Sequence, residues 1–198
     1  MSSQQDTVKQ GGDRVAPRGE QEICVKCGFC CDGTLFLYAH LNPGERGQLP
    51  ELIERAGYEK DGQEYFRLPC GYFDRKCTIY DKKKADVCFD YRCQLLKDFA
   101  AGKVSAEEAL QVVLEAGRMR AELFSQWRMF AGGQAGINFM SMLREIGKMN
   151  ESATGDREVM PGWDLFVARC NIFEALLIRH FWSAGEFEKL MMPETKVK

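Results

Sequence analysis

The sequence predicts an α+β fold, mostly α: a small cysteine-rich metal module with short strands, followed by a helical body. Three observations carry that expectation. Eight of the nine cysteines fall between positions 24 and 93. The segments between them are short, aromatic or alternating, and punctuated by Gly, Pro and Asn, as strands and turns are. Beyond Gly102 the pattern changes to apolar residues recurring at helical spacing. The 198 residues accordingly divide into a flexible tail over 1–21, a cysteine-cluster module over 22–95 and a helical body over 96–198 packed on it.

Taken in order, residues 1–21 are polar, contain Gly11-Gly12 and carry charges of both signs, the composition of a tail. Gly33 to Leu41 is aromatic and apolar and reads as extended, ending at Asn42-Pro43-Gly44. Pro50 to Ala56 suits one short helix with Gly57 as its stop. Glu64 to Leu68 alternates as a half-buried strand does, and Lys76 to Tyr80 is a second strand candidate that closes a hairpin-like loop. Ala85 to Ala101 is expected to be helical with Gly102 as its terminator, placing Cys88 and Cys93 on or just before its first turns.

In the second half, Ser105-Ala106-Glu107-Glu108 is a capping box. The helix it opens carries Ala109, Val113, Ala116, Met119, Leu123 and Trp127 on one face and should stop at Gly132-Gly133. A further helix is expected over 137–149, a Gly/Pro-containing linker over 150–162, and a last helix from Trp163 to Trp182. The charges of Asp164, Arg169, Glu174 and Arg179 mark that helix as packed, not membrane-spanning. Met119, Trp127, Phe139 and Met142 are expected in the helical core.

Charge and composition exclude several classes of function. Lys and Arg number 27 against 29 Asp and Glu, and neither half of the chain is basic, so no nucleic-acid footprint is expected. The amino-terminal stretch lacks the apolar h-region of a secretory signal, and no run approaches the roughly eighteen apolar residues of a bilayer span. The expectation is a cytoplasmic protein with no membrane partner. Thiols are kept reduced there, which favours metal ligands over disulfides.

The candidate ligands are Cys24, Cys27, Cys30, Cys31, Cys70, Cys77, Cys88 and Cys93. Cys24-Val25-Lys26-Cys27 can grip one ion because a tight turn brings two sulfurs to the same side, and Gly28 suits the left-handed backbone such a turn needs. All-sulfur donor sets select zinc or iron–sulfur clusters over magnesium or calcium. Side chains of adjacent residues diverge, so Cys30 and Cys31 either serve two centres or occupy different corners of a polynuclear cluster. The spacing of Cys24, Cys27 and Cys30 matches the start of a bacterial ferredoxin run, but the rest of that pattern is absent. An iron–sulfur cluster and Zn2+ are not separated by these spacings. Lys26, Arg75, Lys76 and Arg92 are candidates to offset thiolate charge.

The pattern Cys24-x-x-Cys27-x-x-Cys30-Cys31, then Cys70, then Cys77-Thr78-Ile79-Tyr80, then Cys88 and Cys93, resembles the CxxCxxCC cysteine-cluster family of zinc- or iron-chelating proteins. The resemblance covers roughly residues 22–95. Family members usually carry Arg-Pro where this chain has Lys84-Ala85. Flagellin lysine methylases share the cysteine signature, and that resemblance implies an iron–sulfur enzyme with a redox or methylase-like reaction.

Other residues read blandly. Cys170, between Ala168 and Phe173, is a small core hydrophobe. His40 is the better placed of two histidines, while His180 is structural or exposed, and no histidine triad can form. A thioredoxin-type pair lacks its βαβ context, and neither a P-loop nor a Gly-x-Ser-x-Gly elbow is present. Two functions remain: a metal or iron–sulfur protein with redox or methylase-like chemistry, or a structural zinc module whose helical body binds a protein partner.

Overall fold

The computed structural model describes residues 17–131, 137–151 and 161–182. The first element, α1 (Arg18–Cys27), starts after Pro17 and ends at Gly28, whose φ of 68° is left-handed and whose amide donates to the Cys24 carbonyl at 3.1 Å. Residues 18–21, expected in the tail, are therefore helical. Tertiary anchoring overrides their polar composition: Glu20 is buried and accepts from Arg92 Nε at 2.5 Å, and Ile23 packs in the helical core. The rest of the expected tail, through residue 16, lies outside the described residues.

Next come β1 (Tyr38–His40), α2 (Glu51–Ala56), β2 (Gly57–Lys60) and β3 (Gln63–Arg67). The strands form an antiparallel sheet in the order β1-β3-β2, pairing Ala39 with Phe66 and Tyr58 with Tyr65. The sequence reading missed β2, although its signal was present. Asp61 (φ 54°) and Gly62 (φ 73°) make the two-residue left-handed turn that joins β2 to β3. Phe66 is buried on the inner face, while Tyr38, Tyr58 and Tyr65 form a ring contact series on the other. A second hairpin, β4 (Phe73–Asp74) and β5 (Lys76–Cys77), turns at Arg75. Strand geometry there stops at Cys77, three residues short of the expected Tyr80.

The helix expected over 85–101 is broken into α3 (Val87–Asp90) and α4 (Gln94–Ala100). Tyr91 is extended at the end of α3, and Cys93 caps α4 with φ −64° and ψ 166°. Side-chain anchors enforce the break. The Tyr91 ring meets Phe36 edge-on at 5.2 Å, Arg92 binds Glu20, and Cys93 is buried. Gly102 follows α4 in the left-handed region, as expected of a helix stop.

The body continues with α5 (Ala106–Phe130), α6 (Phe139–Glu151) and α7 (Trp163–His180). The capping box at the start of α5 is complete: the Glu108 amide donates to Ser105 Oγ at 3.1 Å, and the Ser105 amide donates to Glu108 Oε2 at 2.7 Å. Asn138 caps α6 by accepting from the Ser141 amide at 2.8 Å. On α7, Trp163, Phe166, Cys170, Phe173 and Leu177 are buried at a spacing of three and four, one inward stripe. Trp127, Phe139 and Met142 are buried, and Met119 packs against them. The expected stop at Gly132-Gly133 lies outside the described residues. Of the linker expected over 150–162, Asn150 and Glu151 instead continue α6, and 152–160 lie outside the described residues.

Two buried clusters result. The larger joins Ile23, Phe29, Leu35, Cys93, Leu95 and Leu96 to the inner faces of α5, α6 and α7. The smaller holds Leu41, Ile53, Phe66, Ile79 and Ala85 beneath the sheet. Among the described residues no helix is long and apolar enough to cross a membrane.

Candidate metal centre

The first cysteine run is the junction between the two clusters. Cys24 and Cys27 sit one turn apart on α1, so they share a face. Gly28 then reverses the chain and delivers Cys30 and Cys31. Only glycine fits there, because a Cβ would approach the Phe73 ring within 2.5 Å in addition to the left-handed φ. The Cys24-x-x-Cys27 pair is thus carried by a helix end and not by the free tight turn the spacing suggested, but the left-handed Gly28 is present.

The second group arrives from the sheet side. The Cys70 amide donates to the Cys31 carbonyl at 2.7 Å, and the Phe73 amide donates to the Cys70 carbonyl at 2.9 Å. Cys77 pairs across the β4–β5 hairpin with Phe73. Cys88 lies on α3 and Cys93 at the start of α4.

These eight residues line two adjoining cavities. The larger, about 210 Å3, is walled by Cys24, Cys30, Cys31, Cys70, Cys77 and Cys88, with Phe36, Ile53, Phe66, Ile79 and Val87 as its apolar surface. The smaller, about 40 Å3, is lined by Cys24, Cys27, Cys30, Cys31 and Cys93. All nine cysteines are free thiols. Among the described residues no three Cys, His, Asp or Glu side chains stand ready to hold an ion: the thiols surround the cavities without converging on one point.

Burial dominates thiol chemistry at every one of these positions where a shift is resolved. It pushes Cys24 up to about 11 and Cys88 up to about 12, and it raises Cys27, Cys30, Cys31, Cys70 and Cys93. Cys88 is exposed to the cavity, yet the surrounding protein mass still disfavours its charged form. Burial thus favours the thiol form at the positions where it acts, so a metal bound there would have to displace protons.

Opposing that burial are amides aimed at sulfur. The Phe29 amide lowers Cys27, the Tyr72 amide lowers Cys70, and the Leu95 and Leu96 amides lower Cys93. Donors of this kind stabilise thiolate and do little for a thiol. Donors so placed would serve a thiolate knuckle if a metal were bound there.

The cation beside the thiols is not among those the spacing suggested. Lys26, Arg75 and Lys76 are exposed, and Arg92 is held by Glu20. Lys84 takes that place. It is 7% exposed, its Nζ donates to the Tyr80 carbonyl at 2.6 Å, and it lies over the Tyr80 and Phe89 rings at 3.9 and 4.4 Å. Its charge favours the thiolates of Cys24 and Cys88. A lysine among three other charged residues in Asp81-Lys82-Lys83-Lys84 reads as a turn, so sequence alone gave it no special weight; the resemblance had marked the position only as a departure.

His40 stands at the rim of the larger cavity, tilted against Tyr65 at 4.4 Å, and His180 ends α7. Cys170 is buried in the helical core, as a small hydrophobe should be. Comparison of the chain with protein-family models, with curated proteins and with solved structures finds no match.

Proposed function

We propose that this protein binds zinc or iron, as ions or as an iron–sulfur cluster, through the thiolates of Cys24, Cys27, Cys30, Cys31, Cys70, Cys77, Cys88 and Cys93. The observation that carries this reading is that these eight thiols, drawn from both halves of the fold, wall two adjoining cavities. The donor set fits soft or borderline metals: every candidate ligand is sulfur, and a buried cation, the Lys84 ammonium, lies beside them. An iron–sulfur cluster would supply electron-transfer or radical chemistry; zinc would supply folding energy. The chain's own contribution is to aim amides at sulfur, hold Nζ of Lys84 beside the ligands, and exclude water with Phe36, Phe66 and Ile79. The larger, mostly apolar cavity is where a redox or methylase-like reaction, implied by the CxxCxxCC resemblance, would take place. Free thiols fit a reducing cytoplasm.

A second reading has its own support. Leu165 and Ile172 are 66% and 60% exposed, two turns apart on the outer face of α7, as on a helix that binds a protein partner. In that reading the centre is structural zinc and the protein is a binding module.

Anaerobic purification with iron, sulfide and zinc assayed on one sample, alongside a visible spectrum, tests both. A brown protein with matching iron and sulfide supports the redox reading, and a colourless zinc protein supports the binding module. A folded chain with no metal sinks both.

A further inference from the structure

We infer that the eight cysteines form two separate four-thiolate sites, one of Cys24, Cys27, Cys30 and Cys93 and the other of Cys31, Cys70, Cys77 and Cys88. The inference rests on the metal-binding reading above and adds the partition, which neither the spacing nor the resemblance provides.

The cavities begin the sorting. Cys70, Cys77 and Cys88 line only the larger, and Cys27 and Cys93 only the smaller. Cys24, Cys30 and Cys31 form the wall between them and face both. A tetrahedral all-sulfur site takes four ligands, so the smaller cavity needs two of these three and the larger needs one.

Backbone geometry assigns Cys31 to the larger. Its carbonyl accepts the Cys70 amide at 2.7 Å, which binds the end of the first run to the sheet-side loop. Cys24 shares the face of α1 with Cys27, and Phe29, between Cys27 and Cys30, is buried in the same core as Cys93. Side chains of adjacent residues diverge, so Cys30 and Cys31, which both border both cavities, are assigned to different sites.

Electrostatic proximity is compatible with this grouping but does not define it. Cys31 feels Cys70, Cys77 and Cys88; Cys88 feels Cys70 and Cys77; Cys70 feels Cys77. In the other set, Cys30 feels Cys24, Cys27 and Cys93, Cys27 feels Cys24 and Cys93, and Cys24 feels Cys93. All six pairs within each set of four are close enough to interact. Cys24 with Cys31 and with Cys77, and Cys30 with Cys31, also interact, Cys24 being the largest thiol influence on Cys31. The two centres are thus near neighbours across a shared wall, and the sorting is carried by the cavities.

Each set has amide donors on sulfur, from Phe29, Leu95 and Leu96 on the helix side and from Tyr72 on the sheet side. Lys84 stands beside one member of each, Cys24 and Cys88. That position suits a cation shared by two anionic centres. Loading a site with a divalent ion is balanced as M2+ plus four Cys-SH giving a tetrathiolate of net charge −2 plus four protons released to solvent. No redox partner is needed. Because the thiols do not already converge, loading requires their side chains to rotate into the cavities they line.

The test counts metal in the full chain by native mass spectrometry after reconstitution with zinc alone under reducing conditions. The wild type should hold two zinc ions. C27S, C93S, C77S and C88S should each hold one. Double variants within a set, C27S/C93S or C77S/C88S, should still hold one, while C27S/C77S should hold none. Zinc absorption fine structure on the wild type, which needs no variant to fold, should give four sulfurs per ion at about 2.3 Å with no zinc–zinc shell. A single centre lost whole in every variant, or a zinc–zinc shell from bridging sulfur, overturns the partition while leaving metal binding intact. A folded wild type that takes up no metal overturns the underlying reading itself.

Discussion

Among the described residues, twenty-one are buried in one cluster on the helix side of the molecule, eight of them aromatic; beneath the sheet the corresponding cluster has five. Phe173 alone contacts Phe29 at 6.4 Å and Phe139 at 4.8 Å, both edge-on. On the sheet side Phe66 is the one buried ring in its cluster, and a cavity of about 210 Å3 lies against it where packing would otherwise be. Burial contributes about 25 cal/mol per Å2 of apolar surface, so the helix side can hold itself together and the sheet side has far less to do it with. Six thiols line the gap. On the proposed metal-binding reading, a bound metal would have a stabilising task on the sheet side of the molecule and a subordinate one on the helix side.

Removing the metal should break the comparison most visibly. Binding to structural zinc sites in small metal-dependent modules is worth about 10–16 kcal/mol, comparable to the whole stability of a domain. Chelation should therefore strip hydrogen-exchange protection from β2 and β3 while the amides of α5 and α7 stay protected. Equal loss across both regions would show that they form one cooperative unit. Next in size is Phe173→Ala, which deletes a fully buried ring and should cost about 3–5 kcal/mol in denaturant unfolding. Its cost should persist after chelation, since it reports the helix side.

Much of this division was legible in the chain. Apolar residues at 3.6-residue spacing located α5, α6 and α7 because a helix against a core must repeat that pattern. The eight clustered cysteines named the residues that line both cavities. What the chain concealed was set by contacts distant in sequence. The break between α3 and α4 depends on Arg92 reaching Glu20, seventy-two residues away, and α1 extends back to Arg18 because Ile23 finds a core made largely by α5 and α7. Lys84 looked like one more charge in a turn, and only its folding over Tyr80 and Phe89 makes it the cation at the thiols. β2 is a different case: Asp61-Gly62 announced its hairpin locally, and the strand was overlooked because its residues, Gly57-Tyr58-Glu59-Lys60, lack an alternating apolar face.

Gly28→Ala tests the seam between the two regions. The left-handed φ costs a non-glycine residue about 1–2 kcal/mol, and the Cβ would approach Phe73 within 2.5 Å, so the stability loss should exceed that conformational figure. Pairing it with Phe73→Ala sharpens the result. Removing the ring relieves the clash but not the backbone, so the double variant should lose less than the sum of the singles. Additive losses would mean that the seam is not held by this contact.

The smallest effect lies on the helix side, far from the thiols, and calibrates the rest. Ser105→Ala removes the hydroxyl that caps α5 and should cost about 1 kcal/mol in thermal or denaturant unfolding. The same substitution should alter the acid limb of stability. Hydrogen bonds from the Ser105 amide and hydroxyl hold the Glu108 carboxyl below its ordinary value. A depressed carboxylate contributes stability above the unfolded carboxylate pKa, about 4.3 for Glu, and loses it as pH falls through the lower folded value. Glu108→Gln should therefore flatten the pH dependence in that acid window while leaving stability at neutral pH only slightly changed. Metal content should be the same in both variants as in the wild type, because the cap touches neither cavity. A cap variant that lost metal would mean that α5 and the thiolate sites are coupled through the core they share, and the contrast between the two sides would have to be redrawn around that coupling.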